Sequence, residues 1–563
     1  MKEKLLKYGK EKGYRLIPLL VSVVCILFLP MFYHEVDDRF LQDIVYSASY
    51  NKRSEYLKMI GTPLGYVLRV FTLLFPAVNW LAILYHAVIT ASFTVFMCFL
   101  KKMCSVKETF FVYAGILILI HLLVYMHMTF TVVAFIGVAG VLVFGLMHVK
   151  KGKGLWFLPL LFLLGCVAVS VRNRREVFCV VAFMALPMLF SVVKTKKTTA
   201  ACVILMMCVL FGSLASTRTV YKWHVEKYEL QENVEFHKAR SAIFDTAWLT
   251  YEDIAPQMQK AGISENDLQM VYQFLLNDMS VFNTPMLQEM GKGQTVENKY
   301  NLNIADLLLK MATNPYVMGL LLIFLWLFFS MENKKRLFLG ATFGNAMLLI
   351  MYLYVRQRAE ARVVFPVAVI AVLFMLFFKA DYDAISTGKV ANKKVLCAVF
   401  AVLFLAVGVK QYVALFMETK SLTEKNEIIL YAKENSDIHM TATAWTRNHL
   451  YARRIHLLTK NIEEHVIHSP FGDWFSYFPY YYARMEKIGM GDYTNNALLM
   501  LTEDEQCRFL ASDQKEIPML ITYFKEHYGK DVEAVCLQSF LDGEFKLYRF
   551  YIVENNNESR KGS

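Results

Sequence analysis

Residues 16–40 read LIPLLVSVVCILFLPMFYHEVDDRF, and this stretch decides how the rest of the chain is read. Leu16 to Met31 carries no charged residue and approaches the roughly 20 residues that a helix needs to cross a bilayer. It follows the basic start MKEKLLKYGKEKGYR, and no small-residue cleavage pattern comes after it. The reading is therefore a retained first membrane helix rather than a removed leader. Immediately beyond it the chain turns acidic: Glu35, Asp37 and Asp38 follow His34 where the helix leaves the lipid. Carboxylates at that depth call for a chemical reason.

The whole chain supports a polytopic membrane protein. Of its 563 residues 56% are hydrophobic and 14% aromatic, more than a soluble domain needs, and the mean hydropathy is positive. Trp80–Leu100 and Val395–Phe416 are further runs of spanning length. The net charge of +12 does not point to nucleic acid, because the excess lies in short Lys/Arg clusters between apolar runs, as in cytoplasmic loops. Most of the ten cysteines fall in or beside apolar runs, where they act as small hydrophobes. Cys507 and Cys536 lie in the polar C-terminal part, where an oxidising space would allow a disulfide.

Taking the basic clusters as cytoplasmic markers yields about eleven spans. They fall near 16–33, 78–100, 108–125, 129–148, 155–171, 177–193, 199–216, 315–331, 336–355, 363–379 and 395–416. KKM (101–103), KKGKG (150–154), KTKK (194–197), ENKKR (332–336) and DYDAISTGKVANKK (381–394) then share the inner side. The outer side receives the first loop (34–77), the turn RNRRE (172–176), a long loop (217–314), RQRAEAR (356–362) and the C-terminal domain. Two arginine-rich turns on the translocated side oppose the positive-inside tendency, so their charge is expected to be used.

Paired carboxylates suit general base work: one accepts a proton while the other orients it, binds a metal or raises its pKa. Arginine suits phosphate, since its fork donates two parallel charge-assisted hydrogen bonds and keeps its proton. Asp37 and Asp38 are thus the candidate catalytic pair, and would also be the ligands of any divalent metal ion. Arg172, Arg174, Arg358 and Arg362 are the candidate donor-phosphate ligands, with Arg175 and Arg356 beside them. His34, His127 and Arg240 are candidate substrate contacts. The competing reading is structural: acidic pairs cap helices, arginines snorkel to headgroups, and Arg240 pairs with Asp245. Arg69, in TPLGYVLRVFTLLFP (62–76), belongs to an amphipathic segment expected at the outer interface.

One membrane helix, an acidic pair opening the first outer loop, about ten further helices and an outer C-terminal domain together resemble the GT-C superfamily of membrane glycosyltransferases. That superfamily includes protein O-mannosyltransferases, the lipid A aminoarabinose transferase and oligosaccharyltransferases. The resemblance implies that the first-loop acid, here Asp37 and then Asp38, is catalytic or metal-binding. It also implies that arginines near outer helix ends, here Arg172 and Arg358 or Arg362, bind the donor phosphate. The donor it implies is a sugar on a polyprenyl or dolichyl phosphate. No WWDYG-like segment is present, which disfavours an oligosaccharyltransferase, and no GxGxxG or P-loop pattern suggests a nucleotide-sugar donor.

The expected organisation is mainly α: a transmembrane GT-C-like helical bundle over 1–416, a small extracytoplasmic α/β domain over 417–552, and a disordered tail over 553–563. In the long loop, Ser264 with Asp267 three residues on opens a helix, and Leu268, Val271, Tyr272 and Leu275 form its apolar stripe. Downstream, NEIILYAKENSD and IPMLITYFKEHYGK read as helices. HMTATAW, QCRFLAS, VEAVCLQSF and FKLYRFYIV read as strands, the last two joined by a turn at LDGEF.

The expected function is transfer of a sugar from a polyprenyl-phosphate-linked donor to a cell-envelope glycan, lipid or protein acceptor. The setting is the extracytoplasmic face of a plasma membrane, with membrane lipid and no nucleic acid among the partners. A lipid-linked glycan polymerase or ligase would also use basic outer loops. A transporter would carry ionisable residues deep in its helices and show repeated halves, and neither is seen here.

Overall fold

The computed structural model describes residues 13–29, 31–34, 36–46, 56–104, 107–149, 155–172, 175–193, 197–244, 250–293, 304–331, 333–356, 358–383, 409–410, 413–414, 417, 425–451, 454–461, 466–472 and 476–553. Helices dominate it. α1 (Ile17–Phe28) has a proline in its first turn, where a missing N–H removes no helical hydrogen bond. α2 (Val36–Tyr46) is a short amphipathic helix carrying the acidic pair in its first turn, and α3 (Thr62–Leu74) is a second. α4 (Trp80–Met103) is capped by Asn79, whose side chain accepts from the Ala82 amide. α5 (Lys107–Met126), α6 (Phe130–Val149), α7 (Leu158–Ser170), α8 (Arg175–Val193) and α9 (Lys197–Lys227) follow.

Among its described residues the long polar loop holds α10 (Gln231–Phe244), α11 (Tyr251–Ala261), α12 (Glu265–Tyr272) and α13 (Thr284–Gly293). Ser264 and Asp267 form the capping box at the start of α12. The chain then returns to apolar sequence through α14 (Ile304–Thr313), α15 (Pro315–Phe329), α16 (Asn333–Val355) and α17 (Ala361–Asp383).

Five described helices are long and apolar enough to cross a membrane: α4, α6, α9, α16 and α17. The pair α14–α15, bent by 75°, makes a sixth if counted as one span. This is fewer than the eleven expected. At 1.5 Å per residue α1 and α7 reach only about 18 and 20 Å, short of a hydrocarbon core of about 30 Å. The apolar part of α5, Phe110–Met126, falls in the same shorter class. The span expected near 395–416 lies mostly outside the described residues, as does 554–563 of the tail.

α6 and α17 form the centre of the bundle, each with 83% of its apolar window buried, whereas α9 and α16 are peripheral at 22%. Small residues let helices approach closely: a Cβ at Gly140 of α6 would sit 2.6 Å from Ser92 Oγ of α4. α9 exceeds its expected end at 216 by about three turns. No glycine or proline interrupts 213–227, so nothing stops the helix where the apolar run ends.

At the polar end, α10–α13 and the C-terminal part share one core. Leu276 donates its amide to the Phe471 carbonyl (2.9 Å), Met279 to Asn495 (3.0 Å), and Asn277 Nδ2 to Pro470 (2.7 Å). The C-terminal part runs α18 (Asn426–Glu434), β1 (His439–Ala442), α19 (Ala444–Leu450), α20 (Pro479–Lys487), α21 (Met500–Glu503), β2 (Cys507–Ala511), α22 (Glu516–Tyr528), β3 (Val532–Phe540) and β4 (Phe545–Ile552). Its sheet has the order β1-β2-β4-β3, with β1 parallel to β2 and the other pairs antiparallel. The first strand is shorter than HMTATAW because Thr443 leaves it to cap α19, accepting from the Thr446 amide.

The sheet also answers the disulfide question. β4 lies between the strands of Cys507 and Cys536, separating them by two strand spacings of roughly 10 Å, beyond the reach of a bridge. Both thiols are free, Cys507 buried and Cys536 exposed.

Candidate functional site

The acidic pair divides its labour through the geometry of α2. Asp38 is fully buried, and its Oδ1 accepts from the Tyr85 hydroxyl of α4 and from the Phe130 amide opening α6, both at 2.8 Å. It therefore caps α6 from another helix and fastens α2 to two spans. Asp37, one residue earlier, is 18% exposed, with its Oδ2 3.5 Å from Arg362 Nη1 at the start of α17. Arg362 also holds Glu360 through Nε.

Arg172, just past α7, stands over Phe130 with its guanidinium carbon 5.0 Å from the ring centre. One residue, Phe130, thus touches Asp38 through its amide and Arg172 through its ring. Arg358 closes the C-terminus of α16, its amide donating to the Leu353 carbonyl (2.8 Å), on the turn that leads to Arg362. Arg174 and Glu35 lie outside the described residues.

The two histidines join the same end. The His34 amide donates to the Met128 carbonyl (3.0 Å), and the imidazoles of His34 and His127 stack at 5.4 Å. His127 Nδ1 faces the Leu123 carbonyl at 3.0 Å, which can only accept, so that nitrogen carries the proton. Its Nε2 then accepts from the Tyr316 hydroxyl of α15 at 2.7 Å. Burial pushes its pKa down to about 4, so the ring is neutral at physiological pH. With both nitrogens committed, His127 positions the loop before α6 and is unsuited to ligate an ion.

Arg240 is placed elsewhere. It is fully buried, Nη1 donates to the Gly472 carbonyl (2.8 Å), and the guanidinium carbon lies 5.8 Å from the Phe274 ring centre. Through these contacts the side chain ties α10 to the C-terminal part. Its expected partner Asp245 lies outside the described residues.

At the acidic pair, Asp38 Oδ1 accepts from two donors and Asp37 Oδ2 faces a guanidinium. Among the described residues, three ligand atoms converge at Asp267, Glu526 and His527. That group is explained by folding: Asp267 completes the Ser264 capping box and accepts from His527 (2.8 Å), while Ser264 Oγ donates to Glu526 (2.8 Å).

Sequence reasoning missed the residues that position the site. Tyr85 lies inside an apolar run and Tyr316 directly after a proline, so neither has a motif. Arg447, in the C-terminal part, is also unforeseen: it is buried with its guanidinium carbon 4.2 Å from the Phe40 ring centre of α2. On the same face Arg39 pairs with Asp43 (3.4 Å), whose pKa burial pushes up although Arg39, Arg447 and Arg484 pull it down. The segment 454–459 adds backbone contacts, with Ile455 donating to Met31 and Asn79 to Leu457, both at 2.8 Å. α2 is therefore gripped on one side by the bundle and on the other by the C-terminal part. No family model, no curated protein and no solved structure matches this chain.

Proposed function

We propose that this protein is a membrane glycosyltransferase of GT-C type. It would move a sugar from a polyprenyl-phosphate donor to a cell-envelope acceptor on the extracytoplasmic face of the plasma membrane, within an eleven-span topology. The observation that carries the reading is the meeting of Asp37 and Arg362 beside a buried Asp38, with Arg172 reaching the same loop through Phe130. A base and phosphate-binding cations on separate helices of one bundle end are what this transfer needs.

In the reaction, Asp37 accepts the proton of the acceptor hydroxyl as its oxygen attacks the anomeric carbon. The bond from that carbon to the phosphate oxygen breaks, and the electron pair leaves with the phosphate. Arg362 and Arg172 neutralise the developing charge. A single displacement inverts the anomeric configuration. Asp38 orients α2 and does not exchange a proton.

The test is transfer in purified membranes supplied with polyprenyl-phosphate sugars and candidate envelope acceptors. Asp37→Asn at wild-type abundance is expected to lower the rate roughly 10²- to 10⁴-fold, the usual contribution of a general base. Undiminished transfer would remove Asp37 from the chemistry and return the pair to helix capping.

A further inference from the structure

We propose that the outward face of α19, Trp445 with Asn448 and His449, is a second binding site, and that its ligand is a sugar ring of an oligosaccharide, the acceptor in the proposed transfer. Choosing a glycan rests on the glycosyltransferase reading, whereas the geometry of the site does not. The two faces of this short helix differ. Ala444, Thr446, Arg447 and Leu450 are buried, while Trp445 and His449 are exposed and Asn448 is half-buried. Positions 445, 448 and 449 are i, i+3 and i+4, so the three side chains stand together on one stripe. Thr443 fixes the start of the helix: it accepts from the Thr446 amide, and its hydroxyl donates to Glu516 (2.8 Å).

The ring of Trp445 is braced from behind. Phe274 meets it at 5.5 Å with the two planes 72° apart, and stacks on Phe244 at 4.3 Å. The Arg240 guanidinium carbon lies 5.8 Å from the Phe274 ring centre. Phe274 has a φ of 58°, a left-handed conformation that a bulky side chain rarely adopts, so the surrounding fold is what keeps the ring there. The loop is tied down two residues later, where the Leu276 amide donates to the Phe471 carbonyl. A tryptophan already held in one pose loses little further freedom when a ligand stacks on it.

The make-up of the face selects the class of ligand. Among the described residues, 425–451 expose two large hydrophobic side chains, Leu430 of α18 and Trp445, the latter at 42%. A protein or membrane partner calls for a wider apolar patch. A pyranose needs no more than one ring: its C–H face stacks on the electron-rich face of an indole, and its rim of hydroxyls pairs with the Asn448 amide and the His449 imidazole. The buried face of α19 gives the site its place in the reaction. There Arg447 lies over Phe40 of α2, and Phe40 is i+3 from Asp37 on that helix. Trp445 and Asp37 therefore stand on opposite sides of α19, a separation of at least about 10 Å, the diameter of a helix. One sugar cannot touch both. The ring on Trp445 is a further unit of a chain whose reacting unit lies at Asp37, which makes the acceptor an oligosaccharide.

The experiment measures binding apart from transfer. Oligosaccharides released from the envelope of the cells that carry this chain are labelled at the reducing end, separated by size and titrated against the full chain in detergent by fluorescence anisotropy. Wild type and Asp37→Asn are expected to bind the same fraction alike. Trp445→Ala should weaken that binding roughly tenfold or more, the usual loss for an aromatic anchor, and Trp445→Phe should restore most of it. Asn448→Ala, which leaves the stacked rings in place, should give a smaller loss. In the transfer assay Trp445→Ala should raise KM for the acceptor and leave kcat unchanged. Binding that Trp445→Ala does not weaken, in protein of wild-type melting temperature, overturns the proposal, and so does a wild type that binds no fraction. Binding that requires Trp445 in a protein that transfers no sugar keeps the glycan site and sinks the glycosyltransferase reading instead.

Discussion

Two buried carboxylate regions of this protein use the same donors for opposite ends. At the junction of the polar loop with the C-terminal part, Asp278 accepts from the hydroxyls of Tyr523 and Tyr528, from Ser280 Oγ (2.6 Å) and from the Ser280 amide (2.9 Å). These bonds outweigh the burial that opposes them and hold its pKa below the usual value. At the bundle end the work is split: Asp38 takes a phenol and an amide, leaving Asp37 partly exposed with a guanidinium 3.5 Å away. A carboxylate surrounded by donors on protein groups has its lone pairs committed to structure. One set against a cation at an open edge is the carboxylate that, on the proposed reading, meets a substrate proton.

The comparison breaks first at Asp37. Asp37→Asn should cut transfer by the factor given above while moving the melting temperature in detergent little, since Asp38 still fastens α2 to α4 and α6 and the lost pair with Arg362 is partly exposed. Asp278→Ala should do the reverse. It leaves two phenols and a serine facing a hole, for a loss of roughly 4 kcal/mol in stability, seen as a lower Tm. Transfer per folded molecule should stay near wild type. If Asp278→Ala abolished transfer in protein that melts normally, the division between structural and chemical carboxylates would fail.

How much of this was legible follows from what a sequence encodes locally. The helices, their polar loops and the four strands of the C-terminal sheet appear because apolar period and turn residues are local signals. Asp37, Asp38, Arg172 and Arg362 were visible because charge beside an apolar run is conspicuous. Tyr85, Tyr316 and Arg447 were not, since their roles exist only once α4, α15 and α19 reach α2 and the His127 loop across the fold. The burial of Arg240 was hidden for the same reason: the Gly472 carbonyl that takes its Nη1 comes from the C-terminal part, far along the chain. Five or six described helices reach spanning length against about eleven expected, since α1, α7 and the apolar part of α5 are apolar but short and most of 395–416 lies outside the described residues.

A third contrast lies in pH. Burial raises the Glu516 carboxyl to about 7, although Thr443 Oγ1 donates to it at 2.8 Å. The native state then holds a proton that the unfolded chain releases near the ordinary value of 4.5. Stability is therefore fully present below about 4.5, falls as pH rises to about 7, and is level above, a change of about 3 kcal/mol. Asp278, shifted down, loses its contribution only as pH falls below 3.8, so the two windows do not overlap. His527, raised chiefly by its bond to Asp267, adds a separate loss above 6.5. Glu516→Gln should flatten the Tm profile between 4.5 and 7 and leave both outer limbs in place. A slope that survived the substitution would assign it to another group.

The smallest effect should come from Tyr316→Phe. The substitution keeps the ring against Phe365 and removes only the hydroxyl that donates to His127 Nε2. A buried acceptor losing one neutral hydrogen bond costs about 1 kcal/mol. Because the 127–129 loop leads into the Phe130 amide that Asp38 holds, a looser loop should lower kcat a few-fold with KM for the donor unchanged. Arg362→Gln, which on the proposed reading removes a phosphate ligand, should instead raise that KM. His127 is neutral above about 4, so the pH profile of Tyr316→Phe between 5 and 8 should match wild type. A new titration in that interval would mean that His127 exchanges protons in the reaction, and the positioning role assigned to it would have to be replaced by a catalytic one.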